Sequence, residues 1–416
     1  MKSFNNREFR LGWQVLLLAV VGVATSSSSL LLYSFSALTI PLEKSMGWGR
    51  SELQAAVTAL SLGTIIAAQL AGWLNLKYGL RTVTVLSLVA LSASLALLTQ
   101  IQDSIWGLYI GYFLVPLAGL GTLQITWTHL VNLWFIENRG LALAIILSGS
   151  GLAAALLPIL VTWSVSVWGW QAGFLALAIL PVTIGLPLTL IWLKTDAQAD
   201  SPKKDKAREP LPEEGLTLSQ ALRSWRFWVC NISMTMIVAC VVGLVTNIVP
   251  MLQDNGLSAV EAGQIFSTFG LSLIGGRLIV GYLIDRLWAP GVAAIALAMP
   301  AFACLIFAMS HDSTTLYIIA TILAGLGAGA EFDISAFLIA RYFGMRDYGR
   351  LFGVQLGLVT AGAAAAPLLF GALYDATKDY SGLLAFSTFC FVIGPLMLLS
   401  LGRYPVFHRE YSAAMS

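Results

Sequence analysis

Two stretches decide the fold when laid one over the other: Gly72-Trp73-Leu74-Asn75-Leu76-Lys77-Tyr78-Gly79-Leu80-Arg81 and Gly281-Tyr282-Leu283-Ile284-Asp285-Arg286. Each starts on a glycine, carries leucine two residues later and closes an apolar run with basic residues. The two glycines are 281 − 72 = 209 residues apart. The same offset joins Pro41 to Pro250, Gly47 to Gly256, Glu52 to Glu261, Gly140 to Gly349, Pro158 to Pro367, Gly173 to Gly382 and Gly185 to Gly394. Composition alone gives roughly two glycine coincidences at any one offset and fewer of proline, against five and two found. The matches run along most of each half, so the chain is read as a duplication.

Around these stretches the composition is that of a membrane protein. Hydrophobic residues make up 58% and charged residues 11%, too apolar for a chain whose surface meets water. Apolar runs long enough to span a bilayer begin near Trp13, Leu53, Thr82, Trp106, Leu141, Gln171, Phe227, Ala259, Gly291, Thr314, Leu351 and Leu383. Period-two alternation, the mark of a β-barrel, is missing. The expected fold is therefore an all-α membrane protein of twelve transmembrane helices in two pseudo-symmetric six-helix bundles. The bundles cover residues 1–193 and 221–402, with a polar linker at 194–220 and a tail at 403–416. A short interfacial helix is expected over 216–227.

Charge orients the bundle. With the N-terminus inside, 19 of the 23 Lys and Arg fall in inner segments, Lys44, Arg50 and Lys378 fall outside, and Arg277 lies within a span. That bias predicts both termini in the cytoplasm of a multi-pass plasma membrane protein, for a bacterium the inner membrane. A first span running from Trp13 to about Leu38 is too long for a cleaved signal peptide. The basic residues are scattered topology signals, which argues against nucleic acid as a partner. Cys230, Cys240, Cys304 and Cys390 sit inside apolar spans at no metal-ligand spacing and read as small buried hydrophobes. No metal, cofactor or extramembrane catalytic domain is expected. Gly149-Ser150-Gly151 lacks the flanking glycines and the strand of a nucleophile elbow, so a hydrolase is discarded. A duplicated polytopic chain points instead to a secondary transporter.

The two opening stretches resemble the signature loop of the major facilitator superfamily, in which an acid and a following basic residue close the second span of each half. Asp285 and Arg286 match it, whereas Leu76 stands at the acid's place in the first half. The resemblance implies the major facilitator fold and an inner gate drawn from Asp285 and Arg286 with Lys77, Arg81, Arg139 and Arg341. Trp134-Phe135, Arg139-Gly140-Leu141-Ala142, Ser148-Gly149-Ser150-Gly151 leading to Pro158, and Gly276-Arg277-Leu278 are similar to the monocarboxylate transporter and oxalate/formate antiporter branch. By that resemblance Arg277 is the substrate-binding arginine. Two departures stand out: Leu273 occupies the position of an acid in animal members, and the first and eleventh spans carry no lysine where relatives place a second cation, Ser36 lying near the first of those positions.

Arg277 also stands out without any family. A guanidinium at mid-span costs at least about 2.5 to 3.5 kcal/mol, so it must face the bundle interior and find an anion. Eight residues before Asp285, it sits roughly 12 Å above the inner loop. Its planar fork suits a carboxylate, from a substrate or from a protein acid. Glu331 and Asp333, in the tenth span, are the candidate partners and proton carriers. Two residues apart on a helix is about 200°, so they face different ways. A carboxyl group in low dielectric releases its proton less readily, as a proton carrier near neutral pH must. An internal ion-pair network is the alternative for both. His129 in the fourth span is a further proton-coupling candidate or a structural histidine. Ser29 and Tyr33 in the first span and Asn247 in the seventh are expected to bind substrate beside Arg277, with helix packing as the other reading of the serines.

These residues predict a secondary transporter of a small organic anion, a monocarboxylate or aromatic acid, coupled to protons by alternating access. A proton-driven exporter of amphipathic or cationic compounds, using Glu331 or Asp333 as counter-ion, is the alternative.

Overall fold

The computed structural model describes residues 6–102, 104–135, 138–193, 215–309 and 313–405. Ten helical stretches are long and apolar enough to cross a membrane, and Glu8–Ala24 with Ser27–Met46 form an eleventh pass that bends by 43°. The remaining pass is broken. Ile105–Ala118 is followed by a tight turn at Leu120–Thr122 and then by Gln124–Trp134. With these the twelve expected spans are in place.

The offset of 209 residues marks equivalent hairpins. Gly47 and Gly256 each close the first span of their half with positive φ, 71° and 92°, a conformation that costs glycine little. Glu52 and Glu261 sit one turn into the next helix, where each carboxylate accepts a backbone N–H, from Gly49 at 2.8 Å and from Ser258 at 3.0 Å.

The halves differ in continuity. The second half is built of six unbroken helices, Trp225–Asp254, Ala259–Ile284, Ala289–Met309, Thr314–Phe343, Tyr348–Thr377 and Ser381–Leu399. Four of the first half's spans are interrupted: the first at Thr25-Ser26, the fourth at 119–123, the fifth at Ser148 and the sixth by a wide turn at Pro181–Gly185. At the first break Ser26 is extended and its side chain accepts from the Ser29 N–H, capping the helix that follows. Pro181 opens the wide turn, having no N–H to give the normal ladder.

Span eight packs on span five, span eleven on span two, and span seven on span one, joining the halves. Span eight can lie close to span five because Gly151 and Gly270 face each other: a Cβ on Gly151 would come within 2.8 Å of the Gly270 carbonyl oxygen. The outward faces carry exposed Leu, Ile and Phe, with exposed Trp13, Trp73, Trp106, Trp168, Trp225 and Trp288 near the span ends, as an interface with lipid requires. Of the linker, 194–214 lies outside the described residues, as does the tail from 406. The interfacial helix is shorter than the sequence suggests, Leu218–Leu222, because the seventh span already starts at Trp225. Its first N–H, from Leu218, donates to Asp347 at 2.8 Å.

An even number of passes brings both ends of the chain to one face, here the terminal face; the other is the distal face. At the distal face the halves are tied together. Arg50, opening span two with its side chain 5% exposed, pairs with Asp254 at the end of span seven through two N–H donors at 2.7 and 3.0 Å. It also meets Glu43 at 3.0 Å, donates to the Tyr380 hydroxyl and lies 4.4 Å from the Tyr374 ring centre. Tyr380 in turn donates to Asp254 at 2.7 Å, and burial holds its phenol above its ordinary pKa, so it remains a donor. Nearby, Ser51 N–H donates to Asp375 at 3.0 Å, and Gln54 Nε2 donates to Asn247 at 3.1 Å. Deeper, the Thr58 hydroxyl donates to the Ala364 carbonyl.

Several charged groups at the terminal face make contacts within their own half. Lys77 lies over Trp73 and Tyr78, Arg286 over Tyr282 at 3.4 Å, and Arg341 over Tyr404 at 5.0 Å, while Asp285 is exposed with no ion pair among the described residues. Arg81 donates to the Leu190 carbonyl at 3.1 Å within the first half. The Arg139 side chain lies outside the described residues. The polar ties between the halves described here gather at the distal face.

Candidate substrate site

Arg277 sits inside span eight, 6% exposed, where the sequence places it. Small residues set its surroundings. Gly276 packs on the backbone of Leu326, and Gly329 comes so close to span eight that an added Cβ would meet the Arg277 nitrogen at 2.9 Å. This close approach of span ten brings Asp333 to Arg277, Oδ2 to Nε at 3.4 Å. Leu273, one turn before the arginine, is apolar, and the facing acid comes from the neighbouring helix.

The pair is loose. At 3.4 Å the Nε–H is not aimed well enough to count as a hydrogen bond, and Nη1 is buried without a partner. Glu331 is also 6% exposed, with Oε2 unpartnered. From the other half, Tyr33 brings its hydroxyl within electrostatic reach of both Arg277 and Glu331. One cation, two acids and a phenol thus converge from spans one, eight and ten. Asp333, with 28% of its side chain exposed, is the most accessible of the acids. Unused guanidinium donors beside a displaceable carboxylate form a receptor for another carboxylate.

The other expected site residues lie elsewhere. Ser29 closes the break in span one, its hydroxyl accepting from Ser26 at 2.9 Å. Asn247 belongs to the distal seal through Gln54, only seven residues from Asp254. His129 is exposed on Gln124–Trp134. Sequence reasoning missed the seal itself, reading Arg50 only as an outer-loop cation. Its partners stand on separate helix ends 204 and 330 residues away, which no spacing rule connects. An apolar groove between spans eight and nine, lined by Ile279, Ile295 and Met299 among others, offers no polar wall and suits hydrocarbon.

The model of the Major Facilitator Superfamily matches residues 16–310. Monocarboxylate transporter 11 of Homo sapiens is 24% identical, the match covering 83% of this chain and 74% of that protein. The gallate transporter of Pseudomonas putida is 23% identical over 86% of this chain and 88% of its own. The crystal structure of peptide transporter POT in complex with sulfate superposes with a TM-score of 0.73, covering 93% of this chain and 94% of that one at 12% identity, a likeness of fold alone. Matched over most of its length, and folded as twelve spans in two related halves, the chain belongs to the Major Facilitator Superfamily and is a multi-pass membrane transporter.

Proposed function

We propose that this transporter moves a small organic anion, a monocarboxylate or aromatic acid, together with a proton, from a plasma membrane in which both termini face the cytoplasm. The observation that carries the reading is the buried, half-satisfied Arg277: a mid-span guanidinium with Nη1 unpartnered and only a loose contact to Asp333. The names of two relatives, a monocarboxylate transporter and a gallate transporter, support the substrate class.

Charge balance couples the anion to a proton. The Arg277–Asp333 pair is neutral, and Glu331 beside it has no cation of its own. A substrate carboxylate that takes Arg277 from Asp333 leaves acids facing low dielectric unpaired, at a cost of several kcal/mol. A proton on Glu331 removes one of the two excess negative charges and so lowers that cost. Anion and proton therefore bind together, and the distal contacts must part before they leave on that side.

Uptake of a radiolabelled aromatic monocarboxylate into proteoliposomes under an inward proton gradient tests this. The gradient should drive accumulation, and Arg277→Lys, which keeps the charge but loses the fork, should reduce it by about tenfold or more. Uptake indifferent to both would move the structure toward an exporter of cationic compounds, with Glu331 as the counter-ion.

A further inference from the structure

The broken fourth span carries a face that the anion site leaves unexplained. On Gln124–Trp134, Thr126, Trp127, Leu130 and Val131 are buried; Trp127 fills the space left by Gly22 of span one, and Thr126 accepts from Asn75 at 3.4 Å. The opposite face carries Gln124, Thr128, His129 and Asn132, with Ile125 the one apolar side chain among them. Gln124 and His129 are exposed and make no side-chain hydrogen bond among the described residues, whereas Asn132 is half-buried and its Oδ1 is shielded from solvent. The Thr128 hydroxyl donates to the Ile125 carbonyl at 3.0 Å, which leaves the Gln124 amide and the His129 imidazole as the exposed polar groups that lipid would penalise and water would satisfy.

The duplication supplies its counterpart, although span four is broken just before Gln124 and span ten is not. Asp333 minus 209 is 124, so Gln124 holds in the first half the place that Asp333 holds in the second. Repeats related by an axis along the membrane normal put these positions at one depth on opposite walls of the cavity. A molecule whose carboxylate rests on Arg277, next to Asp333, turns its far end toward Gln124. No Lys or Arg lies on the Gln124–Trp134 segment.

We infer that Gln124 is a specificity-determining residue that hydrogen-bonds a second, uncharged polar group of the substrate, so that the preferred substrate is a hydroxy- or oxo-monocarboxylate and a dicarboxylate is rejected. The inference rests on the organic-anion reading and adds the chemistry of the far end. An amide both donates and accepts, and so suits a hydroxyl or carbonyl. A second carboxylate would meet no Lys or Arg on this segment, while Asp333 and Glu331 already supply negative charge in the site.

Dissociation constants of the purified full-length protein for benzoate, 4-hydroxybenzoate and terephthalate test the inference, measured for the unaltered chain and for Gln124→Leu and Gln124→Arg. The unaltered chain should bind 4-hydroxybenzoate about tenfold more tightly than benzoate, the worth of one well-made hydrogen bond, and terephthalate more weakly than either. Gln124→Leu should erase the preference for the hydroxyl while leaving benzoate unchanged. Gln124→Arg should gain terephthalate binding, a result that a misfolded variant cannot give. A hydroxyl preference that survives Gln124→Leu, or equal loss of both monoacids in it, or no gain of terephthalate in Gln124→Arg, overturns the inference and leaves the anion reading standing. If none of the three acids binds the unaltered chain, both readings fall.

Discussion

Arg277 was legible from sequence because a charge in the middle of an apolar span has few places to go. The residues around it were less so. A separation of 200° says that Glu331 and Asp333 diverge, but which of them meets the arginine depends on how closely span ten approaches span eight, and hence on Gly276 and Gly329. Ser29 and Asn247 carry uncharged groups that can satisfy themselves locally, and each does so, in a helix break and in the distal seal. With Glu331 as the proton carrier, Glu331→Gln mimics its protonated form. That variant should still bind the anion, but its affinity should be nearly flat from pH 5 to pH 8. One proton bound with each anion makes the unaltered protein's affinity fall about tenfold per pH unit once the carrier is deprotonated in the empty state. The pH profile of binding decides between the two, and a variant with the original slope would remove Glu331 from that role.

Helices show a similar divide. The hairpin signals, Gly47 with Glu52 and Gly256 with Glu261, were readable as repeats because each has a fixed local job. The breaks were not, since hydropathy is the same whether an apolar run is straight or bent. The first break depends on Ser26, and Ser26→Ala, which removes the cap on Ser27–Met46, should lower stability by about 1 kcal/mol in thermal unfolding. No loss would mean that another group satisfies those N–H donors. Gly270→Ala pushes a methyl group onto the span five backbone near Ala155. It should cost about 1 to 3 kcal/mol and slow transport more than it weakens binding, because this contact lies where the halves move. Paired measurements of uptake rate and dissociation constant separate the two effects.

For the whole molecule, the duplication gave the architecture but not the state in which it rests. That state is set by contacts such as Arg50 with Asp254, made across the two halves by residues with no periodic relation. Arg50→Ala leaves Asp254 and Glu43 without their cation, and since water reaches both acids, which are 34% and 35% exposed, it weakens the seal by less than the loss of a fully buried pair would. It should shift the population toward a form open at the distal face. A cysteine placed at Thr58 would report this with a membrane-impermeant thiol reagent added from the distal side, and Cys230, Cys240, Cys304 and Cys390 are buried and give little background. Labelling should rise severalfold in Arg50→Ala; unchanged labelling would show that the seal does not control access. The central claim, that Arg277 receives a carboxylate together with a proton, is tested most directly by titration calorimetry of an aromatic monocarboxylate in two buffers of different ionisation enthalpy. The account predicts uptake of about one proton per acid bound and loss of binding in Arg277→Lys. Binding without proton uptake, or equally tight binding by Arg277→Lys, would contradict it.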